Sequence, residues 1–490
     1  MVDTLTEQKS RGPSSTEALS LPEDADRYRA GTLTYTRMGL ITLFLWLLWG
    51  DFCFTLMETV IPTVLPLKLR SLGAPNWLLG LFITTIPSSM NFMINPIVSF
   101  KSDRYRSKWG RRIPFLLFAT PMLTLMLILM AFSDNLGRGL HRILSIWSGG
   151  LNPTTVILVL IGILLIGFQF FNMFVSSVYY YLFNDVVPKA YLARCMALFR
   201  VIGVGASSLY SLFIYRYAET HMREIFLGAA VLYFAAFMLM CWKVREGSYP
   251  PPPENVGGQT GFLASARTYM TECFTCRFFW YFFLSNAFWQ VATCIGIFNV
   301  FLYRDSLGLT LNQLGKIGGI AGIVSTILLF PAGMLSDKIH PLRVMVGAKF
   351  LITLMAPAAL IYLFFDFTPP QVLKIAIVLA CITLPMNVMY TAAALPMYMS
   401  LLPKERYGQF CSADAMVRSI SAILGGVFAG GFMDLMKTIY HGDIFYYRYI
   451  PLWTVSFEAI SLVFLLLLYR GWKQHGGMKN YVPPTGREPS

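Results

Sequence analysis

Long runs of apolar residues, separated by short polar stretches, dominate the chain. Twelve of these runs approach the length of about 20 residues that an α-helix needs to cross a bilayer. Lipid offers no hydrogen-bond partners, so each span must satisfy its backbone within itself, which predicts an all-α polytopic membrane protein. The predicted spans, numbered one to twelve, are 38–62, 77–100, 113–133, 154–183, 195–217, 223–243, 278–302, 312–335, 342–365, 371–398, 410–436 and 450–470.

A polar stretch in the middle of the chain separates six spans from six. Residues 244–277 are rich in proline and glycine, a composition typical of a linker. The first 37 residues contain no sustained apolar run, so no cleavable signal peptide is expected. The predicted division is a tail of residues 1–37, a first half of 38–243, the linker 244–277, a second half of 278–470 and a tail of 471–490.

The charges are few and unevenly placed. Only 13% of the residues are charged, against roughly 25% in soluble domains, and the net charge is +14. Of the 39 lysines and arginines, 26 fall on the side of the predicted spans that carries both termini, 11 fall on the other, and Arg200 and Arg418 lie within spans. Cytoplasmic loops of membrane proteins carry this excess, so we expect both termini to be cytoplasmic in a plasma or inner membrane. The charge then requires no nucleic-acid partner.

Two pairs of short motifs predict that the second half repeats the first. Ser102, Asp103 and Arg104 after span two correspond to Ser336, Asp337 and Lys338 after span eight, 234 residues later. Val187, Pro188 and Lys189 after span four correspond to Leu402, Pro403 and Lys404, 215 residues later. The second offset is shorter because the connection between spans three and four is longer than the equivalent connection in the second half. Such repeats are typical of membrane transporters.

The loop after span two carries a resemblance to a known family. Its sequence from Ser102 to Pro114 begins with Ser-Asp-Arg and ends with Gly-Arg-Arg-Ile-Pro. It resembles the loop between the second and third helices of the major facilitator superfamily. Within that superfamily it is most similar to the branch of glycoside-pentoside-hexuronide:cation symporters and sucrose transporters. The resemblance implies twelve helices in two six-helix halves, and transport by alternating access.

In the family these loops hold one conformation of the transporter. Asp103 and Asp337 can accept hydrogen bonds at a helix N-terminus or pair with arginines in one state and lose those contacts in the other. The alternative is that the loop only fixes topology. The expected gating residues are Asp103, Arg104, Gly110, Arg111, Arg112, Asp337, Lys338 and Arg343.

Two carboxylates in span one are candidates for cation coupling. Asp51 and Glu58 are seven residues apart, which places them on one helical face about 10 Å apart. Acidic groups at membrane depth are costly and mark ion or proton pathways. Arg200 in span five is the expected counter-charge. The alternatives are that Glu58 is interfacial, that Asp51 pairs structurally with an arginine, and that Arg200 extends to the membrane surface.

Span eleven holds a second charged pair, and span twelve holds a lone acid. Asp414 and Arg418 are four residues apart, a spacing that favours an ion pair on one helical face. Glu458 in span twelve is a weaker candidate for cation coupling, because this span lies outside the central cavity in the superfamily.

Polar lines on otherwise apolar spans are the candidate substrate site. In the family, spans one, four, seven and ten line the cavity, and amides with aromatic neighbours suit a sugar. Such amides also join helices to each other in membranes. The candidate substrate residues are Asn91, Asn95, Gln169, Asn172, Tyr179, Tyr180, Asn286, Trp289, Gln290, Asn387 and Tyr390.

No nucleotide-binding loop, metal-ligand cluster or nucleophile motif is visible in the sequence, so we expect neither an enzyme nor a cofactor. The expected function is transport of a sugar or glycoside across the cytoplasmic membrane by cation symport with alternating access, with H+ as the first candidate and Na+ as the second. Export or uniport of another organic solute, and a transporter-like receptor, are the alternatives. The expected partners are the substrate and the lipid bilayer, and the expected state is a monomer.

Overall fold

A computed structural model describes residues 28–146, 150, 152–248 and 273–484. The predicted tails before residue 28 and after residue 484, and linker residues 249–272, lie outside the described residues. Two short strands, β1 (Arg29–Ala30) and β2 (Leu33–Thr34), form an antiparallel hairpin before the first helix. The described residues that follow are helical or connect helices, which confirms the predicted all-α fold class.

Twelve helices in the described ranges are long and apolar enough to span a membrane. They are α1 (Arg37–Ser71), α2 (Asn76–Arg104), α3 (Ile113–Ala131), α4 (Pro153–Val186), α5 (Lys189–Tyr217), α6 (Met222–Lys243), α7 (Arg277–Ser306), α8 (Leu311–Ile339), α9 (Pro341–Phe364), α10 (Pro369–Leu401), α11 (Tyr407–Ile439) and α12 (Ile444–Gln474).

Most helices extend beyond the predicted spans because polar turns at their ends continue the same backbone. The longer connection between α3 and α4 contains a further helix at Ser133–Leu144, which the sequence did not predict. Its first turn carries Asp134, which pairs with Lys68 at the end of α1. Strong hydrophobicity marks the membrane-spanning segments in the sequence, whereas this amphipathic connection gives only a weak signal.

The two six-helix halves meet most closely at one end of the bundle. We call the end where α1 stops and α2 starts the closed end, and the opposite end the terminal end. Near the closed end α2 packs on α11 and α5 packs on α8. Gly430 of α11 lies so close to the backbone of Asn76 that a Cβ would collide with its carbonyl oxygen. Small residues at these crossings let the backbones approach.

Toward the terminal end, the faces of α5 and α11 that contact the other half near the closed end are no longer covered by it. In α5, Ser208 packs on Gly322 of α8, whereas Ala197, eleven residues earlier, is exposed. In α11, Gly426 packs on α2, whereas Ala415, also eleven residues earlier, is exposed. Eleven residues are close to three helical turns, so each pair shares one face. The exposed part of these faces borders a space between the halves, which we call the central gap.

Candidate functional site

Asp51 is buried in α1 without a cation partner. Its side chain is 1% exposed, and Oδ1 accepts a long hydrogen bond of 3.4 Å from Thr55. Oδ2 has no hydrogen-bond partner and faces α5, where a Cβ on Gly203 would lie 3.6 Å away. No ion pair to Asp51 is present in the part of the chain that the structure describes. A buried carboxylate in this state is costly whenever it is charged.

Glu58 lies further along α1 and contacts α4. Its Oε1 accepts a 3.0 Å hydrogen bond from Nδ2 of Asn172. The Oδ1 atom of Asn172 is buried and has no hydrogen-bond partner. Glu58 is therefore inside the first half, joined to a predicted substrate residue, rather than at the membrane surface. Like Asp51, it has no ion-pair partner among the residues described.

Arg200 does not contact either carboxylate in this conformation, so its role as their counter-charge stays a prediction. Its side chain is exposed, and it forms no ion pair with Asp51 or Glu58. The physical reason is helical position: Gly203, almost one turn further along α5, occupies the place against Asp51. The two carboxylates of α1 are thus uncompensated in this conformation.

The second half, in contrast, neutralises its buried acids. Asp414 is fully buried, and its Oδ2 accepts a 2.8 Å hydrogen bond from Nε of Arg418, the pairing expected from the sequence. Asn286 of α7 donates to Oδ1 at 2.8 Å, and Tyr398 of α10 donates to Oδ2 at 2.6 Å. The carboxylate is therefore saturated, and Asn286 is occupied as its partner rather than free for a substrate.

A second buried ion pair in this half was not predicted. Lys349 of α9 and Glu458 of α12 are both buried and form a salt bridge. The Lys349 ammonium also lies 5.4 Å from the ring centre of Tyr390. The sequence carries a signal for this pair, because Lys349 falls inside predicted span nine. Glu458, considered alone, had no visible partner.

The predicted aromatic residues fall into two groups. Tyr179 is fully buried, donates its hydroxyl hydrogen to the carbonyl of Leu47 and packs among phenylalanines, so its contacts are structural. Tyr390 is also buried, with its ring 5.7 Å from that of Trp289. Tyr180 is exposed and Trp289 is partly exposed. Tyr179 has no accessible side-chain surface in this conformation, so its role as a substrate contact stays a prediction.

The predicted amides differ in the same way. Asn91 and Asn387 are exposed, and Gln290 is partly exposed. Asn95 bonds to Asn91 at 3.2 Å and accepts from Ser177 at 2.7 Å. Gln169 is buried. The exposed amides are accessible to a ligand, whereas Asn95 also joins α2 to α4.

At the terminal end, the loop after α2 forms a charge cluster. Arg111 donates to both oxygens of Asp185 at 2.9 and 2.6 Å, and Arg112 donates to Asp185 at 3.1 Å. Arg112 also donates to Ser102 at 2.5 Å and pairs with Asp103. The cluster ties the ends of α2, α3 and α4 together. Asp185 was not predicted, since nothing in its local sequence links it to the loop.

Glu246, which follows α6, caps the start of α3. Its carboxylate accepts hydrogen bonds from the backbone N–H groups of Arg111, Arg112 and Ile113 at 2.9, 2.8 and 2.6 Å. Backbone donors at a helix N-terminus favour an anion. Gly110 has a φ of 105°, and a Cβ there would lie 2.5 Å from Glu246. Gly110 is therefore required by both backbone conformation and space. Arg104, the remaining predicted residue of this loop, is exposed.

The second copy of the motif does not form such a cluster. Asp337 and Lys338 are exposed and form no ion pair in the described ranges. Arg343 lies with its guanidinium 5.8 Å from the ring centre of Trp472. The predicted repeat of the motif is present in the sequence, but within the described residues no ion pair forms at Asp337, Lys338 or Arg343.

At the closed end, charged residues join the halves. Asp434 of α11 accepts hydrogen bonds from the backbone N–H groups of Asn76 and Trp77, at 2.9 and 2.8 Å, and from the Asn76 side chain. Arg304 at the end of α7 pairs with Glu219 after α5. These residues were not predicted, since each partner lies in the other half.

The fold defines the class: a multi-pass helical membrane protein. A family model described as the Major Facilitator Superfamily matches residues 176–426, half of the chain, and the chain belongs to this family. No protein of curated function is significantly similar in sequence.

Solved structures of transporters share the fold. A bacterial homolog of the human lysosomal transporter Spinster, inward-facing and occupied, has a TM-score of 0.65 and 14% identity, covering 92% of this chain and 100% of its own. The nucleoside transporter NupG has a TM-score of 0.57 and 14% identity, with coverages of 87% and 99%. The D-xylose-proton symporter has a TM-score of 0.54 and 13% identity, with coverages of 91% and 99%. Identities this low show the common fold alone.

Proposed function

We propose that this transporter moves a sugar or glycoside across the cytoplasmic membrane by symport with a cation, with H+ as the first candidate and Na+ as the second. The observation that carries the proposal is the uncompensated pair of carboxylates in α1. Asp51 and Glu58 lie in the first half without a cation, while the acids Asp414 and Glu458 of the second half are neutralised.

The energetics of burial support a coupling role. A charged carboxylate without a partner costs several kcal/mol inside a protein, so these positions favour bound protons or a bound cation. Asn172 donates to Glu58, and α4 also carries Tyr180 at the accessible surface. Loading a cation on α1 would therefore change the hydrogen bonds of a helix that carries candidate substrate contacts. Symport requires this kind of link between the two sites.

The arrangement of the halves supports alternating access. If the termini are cytoplasmic, as the distribution of lysines and arginines predicts, the closed end faces outward and the conformation is inward-facing. Opening the other side requires loss of the contacts between α2 and α11 and between α5 and α8. Asp434 on Asn76 and Arg304 on Glu219 are the polar contacts that would break.

A sugar suits the accessible side chains. The exposed or partly exposed candidates are two aromatic residues and three amides: Tyr180, Trp289, Asn91, Gln290 and Asn387. Amides donate and accept hydrogen bonds with hydroxyl groups, and flat rings pack on the apolar face of a pyranose.

Uptake in proteoliposomes tests the proposal. A panel of labelled monosaccharides and disaccharides is offered with and without an inward proton gradient, and in Na+ or K+ buffers. We expect accumulation of one of these sugars against its gradient, driven by one of these cations. Asp51→Asn and Glu58→Gln should abolish accumulation and retain counterflow exchange, whereas the exposed Glu224→Gln serves as a matched control. Full accumulation by both α1 variants would refute the coupling role. Ligand binding without counterflow would indicate a receptor.

A further inference from the structure

The helix between α3 and α4 has an apolar side that the rest of the protein leaves uncovered. We call this helix, Ser133–Leu144, the connecting helix. Its exposed large apolar side chains are Leu136, Leu140, Ile143 and Leu144. Steps of four, three and one residues place these four within about 100° of the helix circumference. A contiguous apolar side of this kind marks a surface that binds a membrane or another protein.

The opposite side of the connecting helix carries positive charge. Arg138 and Arg142 are exposed, lie four residues apart and form no ion pair among the described residues. At 100° per residue, both lie roughly 150–170° from the centre of the apolar side. Asp134, the acidic residue of this helix, is paired with Lys68 of α1. A helix with leucine and isoleucine on one side and arginine on the other is typical of helices that lie in the plane of a membrane surface.

The connecting helix lies at the depth of the membrane boundary. The span before it, α3, has 19 residues and is about 28 Å long, close to the roughly 30 Å of the hydrocarbon layer. Phe132 alone separates the end of α3 from Ser133. Gly137 then packs on α4 at Ile157, where a Cβ on Gly137 would lie 2.5 Å from Cγ1. Ile157 is four residues inside α4, so the connecting helix runs beside the end of a span and not beyond it.

Contacts with three spans fix the orientation of the connecting helix. Its first turn is tied to α1 by the ion pair of Asp134 with Lys68, and Gly137 packs on α4. At the corner before it, the guanidinium of Arg223 in α6 lies 4.1 Å from the ring centre of Phe132. The helix therefore keeps its apolar side outward. In the second half, residues 365–368 join α9 to α10 without a helix, so this element belongs to the first half alone.

We propose that the connecting helix binds anionic phospholipid in the membrane leaflet at the closed end. Its apolar side enters the boundary between headgroups and acyl chains, and Arg138 and Arg142 bind lipid phosphates. Lipid is the occupant that the depth favours, since the adjoining spans expose Leu125 of α3 and Val159 of α4 to the same bilayer. Burial of the apolar side and attraction of the arginines to anionic headgroups both stabilise this position.

Spin labels on opposite sides of the connecting helix test its position. The full-length chain with Cys381→Ser and Cys411→Ser receives a label at Ile143→Cys or, as the matched control, at Arg138→Cys. One transporter is placed in each nanodisc of phosphatidylcholine and phosphatidylglycerol. We expect collisions with oxygen, which concentrates in lipid, to exceed collisions with a water-soluble nickel chelate at position 143, and the reverse at position 138. A label at position 143 that is open to the nickel chelate would overturn the proposal.

The single-copy discs also distinguish lipid from protein as the occupant. A label at position 143 that is shielded with one transporter per disc is covered by lipid, which supports the proposal. Shielding that arises only at high transporter density in liposomes would identify a second copy as the occupant and overturn it.

Hydrogen–deuterium exchange of the peptide that contains the connecting helix tests the lipid charge. Phosphatidylglycerol should slow its exchange roughly tenfold relative to phosphatidylcholine alone, as expected for two arginines beside an anionic surface. Arg138→Gln with Arg142→Gln should remove this slowing. Arg216→Gln with Lys316→Gln, which removes two exposed cations elsewhere at the closed end, should retain it. Equal exchange of the parent chain in the two lipids, or unchanged slowing in the Arg138 and Arg142 variant, would overturn the anionic lipid site.

Discussion

The two halves share one fold but treat buried charge in opposite ways. In the first half, buried Asp51 and half-buried Glu58 have hydrogen-bond donors and no cation among the described residues. In the second half, each buried acid has a cation from its own half, in the pairs Asp414 with Arg418 and Lys349 with Glu458. At the terminal end the contrast reverses, because the ion-pair cluster of the first half has no counterpart around Asp337.

The difference indicates a division of labour. Permanent ion pairs fix the positions of neighbouring helices, but a carboxylate in such a pair is not available to bind a transported cation. Uncompensated carboxylates are unstable when charged, which suits groups that must load and release a cation. On this interpretation, the ion pairs of the second half stabilise its helix packing, whereas the carboxylates of the first half bind and release the proposed coupling cation. Four predictions test this comparison, in order of decreasing effect.

The largest effect is expected at Lys349. Lys349→Ala leaves Glu458 buried without its cation, which should lower the free energy of unfolding by roughly 3–5 kcal/mol. Thermal unfolding in detergent, followed by tryptophan fluorescence, measures the loss. The exposed Lys374→Ala is the matched control and should change stability by less than about 0.5 kcal/mol.

A combined replacement distinguishes lost pairing from lost packing. Lys349→Met together with Glu458→Leu should recover most of the stability, since replacing both partners removes the stranded charge. If the double variant is as unstable as Lys349→Ala, the loss of stability comes from lost packing and not from the unpaired charge on Glu458.

The prediction at Lys349 also shows what sequence could and could not provide. Spans follow from hydrophobic runs, and the Asp414 and Arg418 pair follows from a spacing of four, because both signals are local. Lys349 and Glu458 lie 109 residues apart, and no local pattern joins them. A lysine well inside an apolar span was nevertheless a sign of a buried acid elsewhere.

The same limit applies to the terminal-end cluster. The loop motif predicted that Asp103, Arg111 and Arg112 act together, but their partners Asp185 and Glu246 come from the ends of α4 and α6. Sequence cannot show that three helix ends converge. The sequence also predicted equal roles for Asp103 and Asp337. The two copies of the motif are similar, and this similarity does not show whether an ion-pair partner lies near each aspartate.

The next largest effect concerns the two copies. Asp103→Ala removes a partner of Arg112 and should lower transport turnover about tenfold, close to 1.4 kcal/mol in the barrier, with substrate affinity largely intact. Asp337→Ala should change turnover less than about twofold, since Asp337 has no ion pair in the described structure. Initial rates and half-saturation concentrations in proteoliposomes measure both. Equal losses at the two positions would contradict the asymmetry of the halves.

A smaller effect is expected where the second half holds the first. Asp434→Asn weakens the charge-assisted cap on Asn76 and Trp77, at a cost of about 1 kcal/mol, or roughly fivefold in the population of the closed end. Hydrogen–deuterium exchange of the peptide that begins α2 should accelerate by that factor, while peptides at the start of α3 should not change. Unaltered exchange at α2 would mean that packing alone keeps this end closed.

The smallest effect is expected at His340, between α8 and α9. Burial, with a contribution from Arg343, lowers the pKa of His340, and its Nδ1 accepts from the N–H of Leu342 at 3.2 Å. The unfolded chain binds a proton near the ordinary histidine pKa of about 6.5, whereas folded His340 resists it. Its contribution to stability is thus complete above that pH and is lost as the pH falls toward the lowered pKa.

His340→Asn isolates this contribution because Asn is among the non-glycine residues most tolerant of the positive φ of 105° found here. The variant should show a smaller fall of the unfolding temperature between pH 8 and pH 5.5 than the parent chain. The terminal-end loop of the first half, which has carboxylates instead of a histidine, should contribute little in this range. If the unfolding temperature of His340→Asn falls as much as that of the parent chain, the acid sensitivity arises elsewhere. The loop after α8 would then not differ from the charge cluster after α2 in its response to pH.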